Sequence, residues 1–82
     1  MMYLGQLVDV LNDNERLILR SSHERSLVFI DEKRVSEAKR TLHKNAHQCI
    51  VSDMYSDFSE ADRRETVTVV YIKPNGGAII LE

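Results

Sequence analysis

Thr66-Val67-Thr68-Val69-Val70-Tyr71-Ile72-Lys73-Pro74-Asn75-Gly76-Gly77-Ala78-Ile79-Ile80-Leu81-Glu82 closes the chain and is the stretch on which its fold class turns. Its first half is dense in β-branched and aromatic residues, which suit a pleated, buried strand. Pro74 presets φ for the first central position of a type I turn, Asn75 suits the second, and Gly76 can take the left-handed conformation that completes a three-residue hairpin loop. The pattern predicts that Thr66 to Ile72 pairs antiparallel with Ala78 to Leu81. Tyr71 would then lie opposite Ile79 and Val69 opposite Leu81 on one face, with Ile72 against Ala78 and Val70 against Ile80 on the other. Both faces of that hairpin are apolar.

Upstream, Leu4, Leu7, Val8 and Leu11 fall at the spacing of an amphipathic helix, which Asn12-Asp13-Asn14 ends. Glu15 to Ser21 alternates as a strand, with Leu17 and Leu19 on one side and Arg16, Ile18 and Arg20 on the other. Ser26 to Ile30 reads as its hairpin partner. Asp31 is the expected N-cap of a second helix running to about Asn45, whose apolar stripe is only Val35, Ala38 and Leu42. Gln48 to Val51, extending towards Tyr55, is the expected third strand, and Ser56 to Arg64 a turn or a single helical turn. The predicted order is α-β-β-α-β-β-β: an α+β domain over residues 1–82, with two helices on a mostly antiparallel sheet.

Composition narrows the function classes. The 82 residues are 43% hydrophobic and 29% charged, which suits one globular domain with a modest core and little room for a deep enclosed site. Eleven Lys and Arg against thirteen Asp and Glu give a net charge of −2, so no global field draws the chain to nucleic acid or an anionic membrane. A single cysteine, Cys49, excludes an internal disulfide, and no apolar run is long enough to span a bilayer. A cytoplasmic protein without a membrane association is expected.

Candidate chemical groups are sparse. His43, His47 and Cys49 approach metal-ligand spacing, but a fourth ligand is not evident, and a solvated helix end explains the histidines as well. Cys49 beside His47 lacks an acid to orient the imidazole, so it reads as a small core residue. No glycine-rich phosphate loop, H-E-x-x-H or G-x-S-x-G accompanies the acidic residues. The expectation is therefore a non-enzymatic chain with no catalytic residue, no metal site and no cofactor. Lys39, Arg40 and Lys44 form a candidate nucleic-acid-binding helix face, interrupted by acids and without a strand-borne aromatic pair for base stacking. The second apolar face of the terminal hairpin, Val70, Ile72 and Ile80, is the candidate protein-interaction face, for a partner protein or a second copy.

The opening Tyr3-Leu4-Gly5-Gln6-Leu7-Val8-Asp9-Val10-Leu11-Asn12-Asp13, followed by Arg16-Leu17-Ile18-Leu19, resembles small uncharacterised phage and prophage proteins of Gram-positive bacteria. Those begin with a Leu-Gly-x-Leu helix, acidic turn residues and a strand. The resemblance covers about the first twenty residues. It implies an accessory viral protein that acts by binding a host or viral protein, in line with an interaction module as the leading expectation and a weak nucleic-acid-binding or regulatory protein as the alternative.

Overall fold

The computed structural model describes residues 1–74 and 79–82. Helix α1 (Leu4–Val10) leads into strand β1 (Arg16–Ser21), strand β2 (Val28–Arg34), helix α2 (Val35–Thr41), a 3₁₀ helix (Lys44–Gln48), strand β3 (Ile50–Phe58) and strand β4 (Thr66–Lys73). The four strands form one mixed sheet in the order β2-β1-β4-β3. The outer pairs β1–β2 and β3–β4 are antiparallel, and the central pair β1–β4 is parallel. The α+β class and the two helices agree with the sequence reading.

The terminal hairpin is replaced by a different arrangement. β4 has β1 along one edge and β3 along the other, so neither edge is free to pair with the residues that follow. Tyr71 stands beside Arg20 and Asp53, not Ile79. Ile79 and Ile80 lie outside any strand, and Leu81 makes a single antiparallel bridge to Leu42. The backbone of that segment is tied to the end of α2 instead: His43 N–H donates to the Ile80 carbonyl at 2.8 Å and Glu82 N–H to the Thr41 carbonyl at 2.9 Å. Asn75 to Ala78, on which the turn expectation rests, lie outside the described residues.

The second helix begins later than expected. Asp31 sits in β2, where its carboxylate accepts the N–H of Glu32 at 2.9 Å. A helix needs partners for its first N–H groups, and α2 finds them in the α1–β1 loop: Val35 N–H donates to Glu15 O at 2.8 Å and Ser36 N–H to Asp13 O at 3.2 Å. With backbone carbonyls doing this, no side-chain cap is required. At α1 the Tyr3 N–H donates to the Gln6 side-chain oxygen at 2.9 Å, one half of a capping box. Gly5 lets that helix lie against the 3₁₀ helix, because a Cβ there would stand 2.9 Å from His47 Cβ.

Both helices pack on the same face of the sheet. Leu4, Leu7 and Val8 of α1, Val35 and Ala38 of α2, and Leu42, Ala46 and Cys49 join Leu17, Leu19, Ile30, Val70, Ile72 and Ile80 in one buried cluster. The alternation of β1 and β4 sends the remaining side chains to the opposite face, where Val67, Val69, Tyr71 and Ile18 form a second cluster that contains no helix residue.

Candidate interaction face

The helix-free face is organised by register. Arg16 aligns with Val67, Ile18 with Val69 and Arg20 with Tyr71 across β1–β4, while Tyr55 aligns with Val69, Asp57 with Val67 and Asp53 with Tyr71 across β3–β4. Tyr55 and Tyr71 are therefore diagonal neighbours, and their rings stack with centroids 6.2 Å apart at 30°. The expectation that the aromatic residues form no strand-borne pair is corrected here. That expectation ended the third strand near Tyr55, whereas β3 continues to Phe58 and brings Tyr55 onto the face.

Beneath this pair the face hollows into a trough of about 650 Å³, lined by Ile18, Val28, Tyr55, Phe58, Val67 and Val69 together with Arg16, Arg20, Asp31, Glu32, Asp57, Glu60 and Ala61. Val69, which lines it, is only 4% exposed, whereas Phe58 on the rim is 64% exposed. Another depression, about 710 Å³ and shallower, lies between α1 and the 3₁₀ helix beside Tyr3, Asp9 and His47. It is not underlain by the second apolar cluster.

At one end of the face an ion-pair network holds the β3–β4 loop against β2. Two irregularities in the β1–β2 ladder, between Leu17 and Leu19 and between Leu19 and Arg20, shift the register of β2. Within that irregular stretch Glu32 meets the β1 side chain Arg16. Arg16 donates to Glu32 at 2.6 Å and to Glu65 at 2.7 Å. Glu32 also accepts the Ser59 hydroxyl at 2.6 Å and the Glu60 N–H at 3.2 Å. Ser59 is fully buried and in turn accepts the N–H of Asp62 at 3.1 Å. The Ser59 hydrogen bond, ahead of the Arg16 guanidinium, holds the Glu32 carboxyl below its ordinary range. The Glu65 hydrogen bond, with Glu32 behind it, raises Arg16 above its own.

At the other end, the Arg25 guanidinium lies 4.6 Å from the centroid of the Tyr71 ring and forms a long ion pair with Asp53 at 4.0 Å. Arg20, followed by Tyr55, stabilises the ionised Tyr71 hydroxyl and pulls it below the usual phenol range. Tyr55, bonded to Tyr71, moves the opposite way.

The exposed edges are protected by a repeated device. Asp53 accepts the N–H of Met54 at 2.8 Å and Asp57 that of Phe58 at 2.7 Å, and Asp31 does the same for Glu32 on the other edge strand. An N–H committed to a side chain is withdrawn from pairing with an incoming strand.

The sequence-derived candidates fall elsewhere. Val70 and Ile72 are fully buried and Ile80 is 6% exposed, all within the cluster that the helices cover. The interaction face proposed from sequence is thus the covered one, because both helices pack on the same side and the C-terminal segment folds under α2. The residues that sequence reasoning missed, Ile18, Val67, Val69 and Tyr55, follow from the same alternation read on the opposite parity, whereas Phe58, paired with Thr66, reaches the trough only from the end of β3. Lys39 donates to Asp13 at 2.9 Å, Arg40 is exposed near the end of α2, and Lys44 begins the 3₁₀ helix beyond a break at Leu42 and His43. They do not share one helix. His43 caps the 3₁₀ helix by accepting the Asn45 N–H at 3.1 Å, and Cys49 is buried. Among the described residues no three His, Cys, Asp or Glu side chains are grouped to hold a metal ion, and no helix is long and apolar enough to cross a membrane.

No protein-family model matches this chain, and comparison with curated proteins and with solved structures yields no match.

Proposed function

We propose that this chain is a non-enzymatic, cytoplasmic protein-interaction module that engages its partner through the helix-free face of the sheet. One observation carries the reading: the apolar cluster of Ile18, Val67, Val69 and Tyr71 has no helix residue packed on its side of the sheet and opens into a trough rimmed by the exposed Phe58 and half-exposed Tyr55. Apolar surface grouped in a concavity, with aromatic residues at its rim, is the usual composition of a docking patch. An accessory role in a phage or prophage accords with the likeness of residues 3–19 to such proteins.

The nucleic-acid alternative moves from α2 to this same face, where Arg20, Arg25 and the ring of Tyr55 combine positive charge with a stacking surface. It is the weaker reading, because Tyr71 is only 6% exposed beneath Arg25 and the trough holds four carboxylates against two guanidinium groups.

Placing a photo-reactive amino acid at Phe58, and separately at Arg40 on the helix side, tests the docking reading in producing cells. The Phe58 derivative should form a discrete adduct that the Arg40 derivative does not. The adduct's partner, purified, should bind the Phe58→Ser variant about tenfold or more weakly, as loss of a rim anchor implies. Adducts from position 40 alone, or affinity unchanged by Phe58→Ser, would discard the face.

A further inference from the structure

We propose that the occupant of the trough is a polypeptide segment carrying a Lys or Arg beside an apolar side chain; this deepens, and rests on, the docking role assigned above to the helix-free face. The argument is one of charge. Of the two cations lining the trough, Arg16 is already committed, at 2.6 Å to Glu32 and 2.7 Å to Glu65. Arg20 lies at the far end of the face, in register with Tyr71. Glu32 is satisfied by Arg16, Ser59 and the Glu60 N–H. Asp31, Asp57 and Glu60 remain: three exposed carboxylates that form no ion pair among the described residues. Asp31 and Asp57 accept one backbone N–H each, which leaves their charge uncompensated.

These carboxylates surround apolar surface. Tyr55, two residues before Asp57, shares its face of β3, Phe58 stands at the rim where that strand ends, and Ile18, Val28, Val67 and Val69 line the same trough. A cationic side chain placed there gains an aromatic neighbour as well as opposite charge, and its own apolar neighbour in sequence fills the concavity. The volume of about 650 Å³ falls within the range of about 300–1,000 Å³ typical of ligand-binding clefts, enough for a few side chains and not for a folded domain. An acidic segment or a nucleic-acid backbone would meet the three free carboxylates and be repelled.

The test uses the full chain and four labelled peptides of equal length: Lys with Leu, Glu with Leu, Lys with Ser, and Ser with Leu. A labelled single-stranded oligonucleotide is the fifth probe. Binding is read by fluorescence anisotropy, and the contacted residues by amide chemical shifts. The Lys/Leu peptide alone should bind, shifting Ile18, Asp57, Phe58 and Val69, and the complex should weaken with salt. The triple variant Asp31→Asn, Asp57→Asn, Glu60→Gln keeps the amide-oxygen acceptors that the N–H groups of Glu32 and Phe58 need, so it removes charge without opening the edges. It should bind about threefold to tenfold more weakly, as removing the opposite charge around one exposed cation implies. No binding by the Lys/Leu peptide, or full binding by the triple variant, overturns the cationic occupant. If the Glu/Leu peptide or the oligonucleotide binds with shifts in the trough, the cationic occupant is refuted while the face remains a docking surface. Shifts confined to α1 or α2 refute both.

Discussion

Replacing Ile80 with Lys separates this architecture from one in which the C-terminal segment forms an exposed strand. Ile80 is 6% exposed and packs in the helix-covered cluster, and the backbone around it is joined to residues 41–43 by two hydrogen bonds and the Leu42–Leu81 bridge. A buried, unpaired ammonium is too costly to keep, so the segment from Ile79 onward should detach and carry the lysine into water. Detachment forfeits the burial of one isoleucine, about 1.5–3 kcal/mol, and the two backbone hydrogen bonds at about 0.5–1.5 kcal/mol each. The loss is then about 2.5–6 kcal/mol, a large share of the stability of about 5–15 kcal/mol available to a small domain. Urea titration of the purified variant should show it as a reduced midpoint, and the melting temperature should fall by at least about 10 °C. Hydrogen exchange at the His43 amide, which donates to Ile80, should accelerate first. A variant within about 1 kcal/mol of the parent, with His43 still protected, would refute the burial argument.

Three further outcomes follow from the same contacts. Glu32 ionises below its ordinary 4.5 because Ser59 and Arg16 stabilise its charge, so its contribution to stability is present above that pH and is lost as pH falls through the lowered folded-state value; Glu32→Gln should flatten this acid limb in pH-dependent denaturation, and an unchanged limb would contradict it. Gly5→Ala should destabilise the fold in thermal melts, despite the roughly 1 kcal/mol that Ala ordinarily gains over Gly in a helix, because the new methyl stands 2.9 Å from His47 Cβ; a higher melting temperature would mean that the 3₁₀ helix gives way freely. Asp57→Ala frees the Phe58 N–H on an edge strand and should produce concentration-dependent association by light scattering, whereas Asp57→Asn should not; identical behaviour of the two variants would show that the carboxylate does not protect this edge.

The sequence was most readable where burial is one-sided. α1 and β1 carry their patterns openly, since Leu4, Leu7 and Val8 face the core and Leu17 and Leu19 alternate with half-buried neighbours. β3 is exposed along most of its length, so Ser52 to Phe58 shows little of the apolar alternation by which strands are recognised. The charged Asp31-Glu32-Lys33-Arg34 resembles a helix start because edge strands and first helical turns both accept such residues in water. β4 was recognised as a doubly apolar strand, but its partners lie far away in sequence, and Pro74-Asn75-Gly76 supplied a plausible local partner in their place. The sequence pattern points to the face that is in fact covered for the same reason: alternation separates Val69 from Val70, and only the placement of the helices says which of the two is buried beneath them.

The parallel contact of β1 with β4 also governs when this molecule can fold. Arg16 and Val67 meet across about fifty intervening positions, against six in the β1–β2 connection, which is about three doublings of loop length at roughly 0.6 kcal/mol each. Both helices and the first hairpin leave the ribosome before β4 exists to join the two halves of the sheet. Until Thr66 to Lys73 has emerged, Leu17 and Leu19 have no β4 strand beside them, and β3 is held only at its start, by the Tyr3–Ile50 bridge. Nascent chains ending before Val67 should therefore be held by chaperones or aggregate, and folding of this domain should wait for the emergence of β4.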